Sequence, residues 1–175
     1  MKILKLLLAV AVFTTFISCD KDDEKNPGSG TSVTGKWRLT ELEYGGTNTS
    51  SQQDLYPHST FTGTGFSIDF FMNFDENPNL YTSNGSYGIH LVTSIAGFPD
   101  MESNETMDGF ANNGTWEITG SQIVMNSAIG GLQTGEIIEL TASSLIIGVN
   151  DENIVDGGAI TVTQTVSGTY TFIKE

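Results

Sequence analysis

The chain has one cysteine, two histidines and four prolines, and between Arg38 and Lys174 it has no lysine or arginine at all. Each scarcity excludes something. A single cysteine forms no disulfide within the chain and no multi-thiolate metal site. No H-E-x-x-H, Walker A or G-x-S-x-G pattern occurs, and His58 and His90 read as structural or solvated residues. Asp75, Asn77 and Asn79 match the first ligand positions of a calcium loop. Leu80 then stands where that loop needs glycine, and Ser86 where it needs glutamate, so the stretch reads as a turn, with a weak calcium site as the alternative. Carboxylates are plentiful, but none is singled out as half of a catalytic pair. No enzyme activity, metal or cofactor is expected. The base-free window spans 135 residues and holds 16 acids. It offers no arginine clamp for a carboxylate or phosphate. It offers no basic surface for nucleic acid either.

The lone cysteine sits at an informative place. Lys2 and Lys5 precede an apolar run, LLLAVAVFTTFI, over residues 6–17. That is the length of a secretory signal, short of the roughly 20 apolar residues a membrane-spanning helix needs. The run ends in Phe16-Ile17-Ser18-Cys19. Small Ser18 directly before Cys19 resembles the lipobox of bacterial lipoproteins. The resemblance implies cleavage before Cys19 and acylation of it, so that the membrane becomes a partner through the lipid. Several acyl chains make a stable anchor where one does not. Asp20, Asp22, Asp23 and Glu24 follow. They resemble the export signal of Bacteroidota-type surface lipoproteins, which implies display on the outer face of the outer membrane, with a periplasm-facing position as the alternative. Residues 1–18 are then a signal peptide. Residues 19–32, acidic and then rich in glycine and serine, are a flexible tether. The first eighteen residues carry two of the seven bases and no acid, so the remainder keeps five bases against 21 acids, a net charge of −16. That charge disfavours a bare anionic membrane surface as a partner.

Residues 33–175 read as one all-β domain. Helix signals are scarce, while Thr, Val, Ile, Tyr and Phe alternate between clusters of Gly, Asn, Asp and Ser. Eight strands are expected, over residues 35–44, 66–74, 80–95, 115–119, 122–126, 136–141, 145–150 and 159–174. Their connections alternate in length. Residues 45–65, 96–114, 127–135 and 151–158 form longer loops, and the other three connections are short turns. In an up-and-down meander the longer loops gather at one end. The pattern predicts an eight-stranded antiparallel up-and-down barrel with room for one small ligand.

Three motifs carry a family resemblance. Gly35-Lys36-Trp37 opens the first strand, Gly114-Thr115-Trp116-Glu117-Ile118 lies at the centre, and an aromatic strand, TYTFIK, closes the chain. Together they resemble the G-x-W pattern of lipocalins, and more closely the small lipocalin-like (calycin) domains of Bacteroidota lipoproteins. In that family a late arginine packs across the first tryptophan; here Lys174 is the one late cation. The resemblance implies that Gly35, Trp37 and Trp116 belong to the structural motif.

Two functions follow as expectations. The first is a monomeric ligand-binding lipoprotein, its pocket lined by Phe66, Ile68, Phe70, Met72, Tyr87, Ile89, Ile138 and Ile147, taking a neutral or cationic apolar molecule. Which parity faces inward is open, because a one-residue slip reverses every side chain. The second is an interaction module with a filled barrel, whose long loops present Tyr56, Phe61, Phe98 and Phe110 to a protein or glycan. Cavity volume separates the two.

Overall fold

The computed structural model describes residues 31–52, 58–108, 113–127, 131–158 and 160–175, apart from the side chain of Asp108. Among them there is no helix. Nine strands form: β1 (Gly35–Ser50), β2 (Ser59–Asp75), β3 (Leu80–Ile95), β4 (Met101–Asp108), β5 (Asn113–Thr119), β6 (Gln122–Ser127), β7 (Gly131–Leu140), β8 (Ser144–Asp156) and β9 (Thr161–Lys174). All pairings are antiparallel. The ring runs β1-β2-β3-β5-β6-β7-β8-β9 and back to β1, an eight-stranded closed up-and-down barrel with β4 as an extra strand. It is consistent with a lipocalin-like barrel. Strands β5 and β4 follow one another along the same edge of β3, β5 against residues 80–82 and β4 against residues 86–93.

The strands are longer than the sequence suggests, and the connections shorter. Residues 45–65 were expected to be a loop, but β1 runs on to Ser50 and β2 begins at Ser59. The reason lies in the composition of GGTNTS and STFTGTG. Threonine is β-branched and suits a pleated surface, and the glycines permit close approach. At Gly63 the ring of Tyr44 occupies the space a Cβ would need. The expected loop 96–114 likewise contains β4, the loop 127–135 contains the first half of β7, and the loop 151–158 is largely β8.

Three bulges bend the wall and set which side chains face inward. They lie near Thr40 in β1, Ser67 in β2 and Ile138 in β7. An extra residue on one strand increases local twist and reverses the alternation beyond it. Ser67 has φ 48, in the left-handed region. Before it, Phe61, Gly63 and Gly65 point in; after it, Phe70, Met72 and Phe74 do.

The wall has two heights. Strands β1, β2, β3, β8 and β9 have 13 to 17 residues, whereas β5, β6 and β7 have 7, 6 and 10. At about 3.3 Å per residue, the tall strands rise well past β6 and β7, as the back of a jug rises past its lip. The short turns at residues 76–79, 120–121 and 141–143 close the opposite end. This floor is packed with Val33, Trp37, Phe74, Tyr81, Trp116, Ile123, Ile137, Leu145 and Phe172, all buried. Phe74 meets Trp116 edge-on at 5.9 Å between ring centroids and 87°. The Trp37 Nε1–H donates to Val33 O at 2.6 Å. The Trp116 Nε1–H reaches Asp75 O and Leu80 O at 2.9 and 3.1 Å. Both indoles therefore bury with their one donor satisfied. Lys174 Nζ lies 5.0 Å over the Trp37 ring and supplies the late cation.

Candidate functional site

Above the aromatic floor, behind the low wall, lies a cavity of about 410 Å³. Its base is Phe70 and Met72 from β2, Met125 from β6, and Phe172 and Tyr170 from β9. Its side is the slot between β7 and β8, where Leu132, Gln133, Thr134 and Gly135 face Ile147, Val149, Asn150 and Asp151. The slot exists because β7 and β8 pair only from Glu136 and Gly148 downward. Higher up, β7 stays with β6 while β8 continues with β9 to Asp156. The cavity therefore opens sideways through the wall as well as upward.

The chemistry of the lining is mostly apolar with few polar groups. Asp151 is its one charged residue. Gln133 Oε1 is buried with no hydrogen-bond partner among the described residues, an acceptor without a donor. Tyr170 shares a hydrogen bond with Tyr87, and burial holds both phenols above their usual range, Tyr87 furthest because Tyr170 adds to the effect. Tyr44 is also raised by burial. Deprotonating any of them would place a charge in a low-dielectric site, so the phenols act here as neutral hydrogen-bonding groups.

Of the expected lining residues, Phe70, Met72 and Ile147 line the cavity. Tyr87 and Ile89 are buried in the adjoining core, and Ile68 is half-buried against it. Phe66 and Ile138 are corrections. Both sit at bulges and turn outward, 40% and 57% exposed, so neither can touch a guest. Phe66 covers Gly88 on the outer face and Ile138 covers Gly148. Phe61, expected on a loop, is instead buried on β2, edge-on to Tyr44 at 6.1 Å. Phe98 is 67% exposed in the turn between β3 and β4, as a loop residue should be. Tyr56, Phe110 and Cys19 lie outside the described residues.

Sequence reasoning missed Met125, Gln133, Val149, Val166, Tyr170 and Phe172. A signal existed for the last two: in TYTFIK the large side chains alternate with threonine and isoleucine, and the final strand is free of bulges. No such pattern marks Gln133.

Charge divides along the barrel axis. Lys36, Arg38 and Lys174 all sit at the floor end, Lys36 over the Phe71 ring at 4.1 Å and Arg38 paired with Glu175 at 2.8 Å. The mouth carries Asp100, Glu102, Glu105, Asp151, Glu152 and Asp156, with no base among the described residues. There too, no group of three His, Cys, Asp or Glu side chains is placed to hold a metal ion. Comparison with family models, with curated proteins and with solved structures yields no match.

Proposed function

We propose that the protein is a lipid-anchored binding protein of lipocalin-like type, whose barrel holds a neutral or cationic apolar molecule that donates a hydrogen bond. The observation that carries this reading is the cavity itself. Its volume lies in the range of small-molecule sites, its base is apolar, and Asp151 and Gln133 Oε1, without a partner among the described residues, give it one charge and one acceptor. An anion would meet the Asp151 carboxylate with no base to compensate, in a field made negative by the whole mouth. The interior retains an opening of this size, so the filled-barrel alternative is the weaker one.

Anchoring enters through Cys19. The chain reaches the barrel at the floor, where Ser32 and Thr34 both donate to Glu76 in the turn after β2. A lipid at Cys19 then leaves the mouth facing away from the membrane, on the outer face of the outer membrane or, alternatively, toward the periplasm.

Each half has its own test. Val149 lines the slot and is half-buried. Val149→Trp should fill the cavity and abolish the fluorescence gain of Nile red, a neutral apolar dye, without loss of the folded state. Undiminished dye binding by that variant would remove the cavity from the account. For the anchor, Cys19→Ala should move the protein out of the membrane fraction and end labelling by palmitate; retention of both sinks the lipoprotein reading.

A further inference from the structure

The slot between β7 and β8 has a second property that a small guest does not use. Among the described residues neither of its lips is paired to another strand. The Gly157 N–H donates to Ile160 O across the β8–β9 turn at 2.9 Å. In an antiparallel ladder, hydrogen-bonded and non-bonded pairs alternate. Counting down from Gly157, the backbone groups of Asp156, Ile154, Glu152 and Asn150 point away from β9, toward the slot. One observation checks the count. The Glu152 N–H is bonded to the Asp151 side chain at 2.9 Å, which requires it to face away from β9. The alternation continues correctly to Gly148, whose groups meet Glu136 of β7. By the same rule Thr134 and Leu132 of β7 face the slot from the other side. Among the described residues no strand covers residues 149–156 of β8 on that edge.

We propose that this edge of β8 receives an extended, basic peptide segment of another protein, which adds to the barrel as a further strand. Strand addition draws its affinity from backbone hydrogen bonds and its selectivity from alternate side-chain positions. Here the alternate positions are distinct. Val149, Asp151, Asn153 and Val155 face the cavity side, while Asn150, Glu152 and Ile154 face outward. Ile154 and Val155 are 58% and 57% exposed, an unusual pair of β-branched apolar residues to leave on an open edge. Leu132, 69% exposed on the facing lip, adds a third.

Charge decides between occupants. A second copy of the chain would bring Glu102 and Glu105 of β4, the other open edge, or Asp151, Glu152 and Asp156 of its own β8. The chain's own N-terminal stretch would bring Asp20, Asp22, Asp23 and Glu24. All of these meet like charge, with no base on the mouth to offset it. A segment with lysine or arginine at every second position presents its bases on one face and meets opposite charge there, at Asp151 on the cavity side or at Glu152 on the outer side. The proposal rests on the strand edge and stands whether or not a small molecule also enters the cavity.

The test uses the protein with three eight-residue probes at physiological ionic strength, where weak long-range attraction is screened. One alternates lysine and valine, one alternates glutamate and valine, and one is the lysine peptide N-methylated throughout. The lysine peptide should bind. The other two should bind at least about tenfold more weakly, the N-methylated one because it keeps the charge but loses its donors. Ile154→Pro removes an edge donor without touching the β8–β9 ladder, since proline is accepted where the N–H faces off the sheet. It should weaken the lysine peptide by a similar factor, while Ile154→Val should not. Equal binding of the N-methylated peptide would show adsorption by charge alone and overturn the proposal. So would equal binding of the glutamate peptide, no binding at all, or an Ile154→Pro variant that binds as before. Should that variant not fold, the N-methylated comparison on the unaltered protein decides.

Discussion

The floor and the mouth of this barrel are built from the same kind of strand and do different work. At the floor, Trp37, Phe74 and Tyr81 are fully buried, indole donors are satisfied by backbone carbonyls, and Lys36 and Lys174 lie over aromatic rings while Arg38 pairs with Glu175. At the mouth, strands such as GGTNTS and TVTQTV carry small and polar side chains, β4 is exposed throughout its described side chains, and every described charge except those of His58 and His90, if protonated, is negative. His90 itself is tied to β4, with Nδ1 3.0 Å from Asn104 Oδ1. The comparison teaches where stability and function can be separated. Apolar burial contributes about 25 cal/mol per Å², and most of the buried apolar side chains lie at or below the base of the cavity. The mouth is held mainly by backbone ladders, so its side chains are free to serve binding.

The largest effect that could break this division comes from one substitution made in both regions. Leu145 is fully buried at the floor, and Leu91 is half-buried on the tall part of β3. Leu145→Ala should cost about 3 kcal/mol or more, the usual result for a leucine whose site cannot collapse. Leu91→Ala should cost about 1 kcal/mol, because its surroundings are already open to water. Chemical denaturation of the two variants measures both. Equal costs would mean that the mouth is as tightly packed as the floor and that the division is wrong.

A smaller effect probes the boundary between the regions, where Tyr44, Tyr87 and Tyr170 lie. Burial raises all three above the ordinary phenol value of 10.0. In the unfolded chain they ionise near pH 10, while the folded chain keeps its protons. Above pH 10 the folded state therefore binds more protons than the unfolded one, and stability falls as pH rises. This contribution is fully present below pH 10. The fall should be at most about 1.4 kcal/mol per pH unit for each tyrosine, and Tyr87→Phe should make it shallower. A flat alkaline profile in the unaltered protein would place these phenols in water.

Much of this was legible in the chain. Threonine, valine and phenylalanine at alternate positions announced strands, and the unequal spacing of turn clusters announced which end would be open. The lack of any base between Arg38 and Lys174 fixed the sign of the mouth before its shape was known. Tryptophans at positions 37 and 116 are both buried at the floor. What was not legible has one physical cause. A bulge is one extra residue with no strong signature of its own, and it reverses every side chain beyond it. FSIDFFMNF reads as a single amphipathic face from Phe66 to Phe74, yet Ser67 breaks it and sends Phe66 outside. EIIEL is divided in the same way, with Ile137 inside and, past the bulge, Leu140 rather than Glu139 turned back toward the core. The extent of the strands was hidden for a different reason, since threonine with glycine reads as loop until the neighbouring strand is in place to pair with it.

The smallest expected effect is also the most direct test of what the mouth is for. Decylamine, decanol and decanoate share one apolar chain and differ in the charge of the head group. Their displacement of a bound apolar dye at moderate salt should rank amine first, alcohol second and carboxylate last. The amine should lead the carboxylate by about tenfold or more, as a single unpaired acid near the guest implies. Asp151→Asn should remove the amine's advantage and leave the alcohol unchanged. If the carboxylate binds best, or if the amine keeps its lead in Asp151→Asn, then the acidic mouth does not select the guest and the proposed ligand class is wrong.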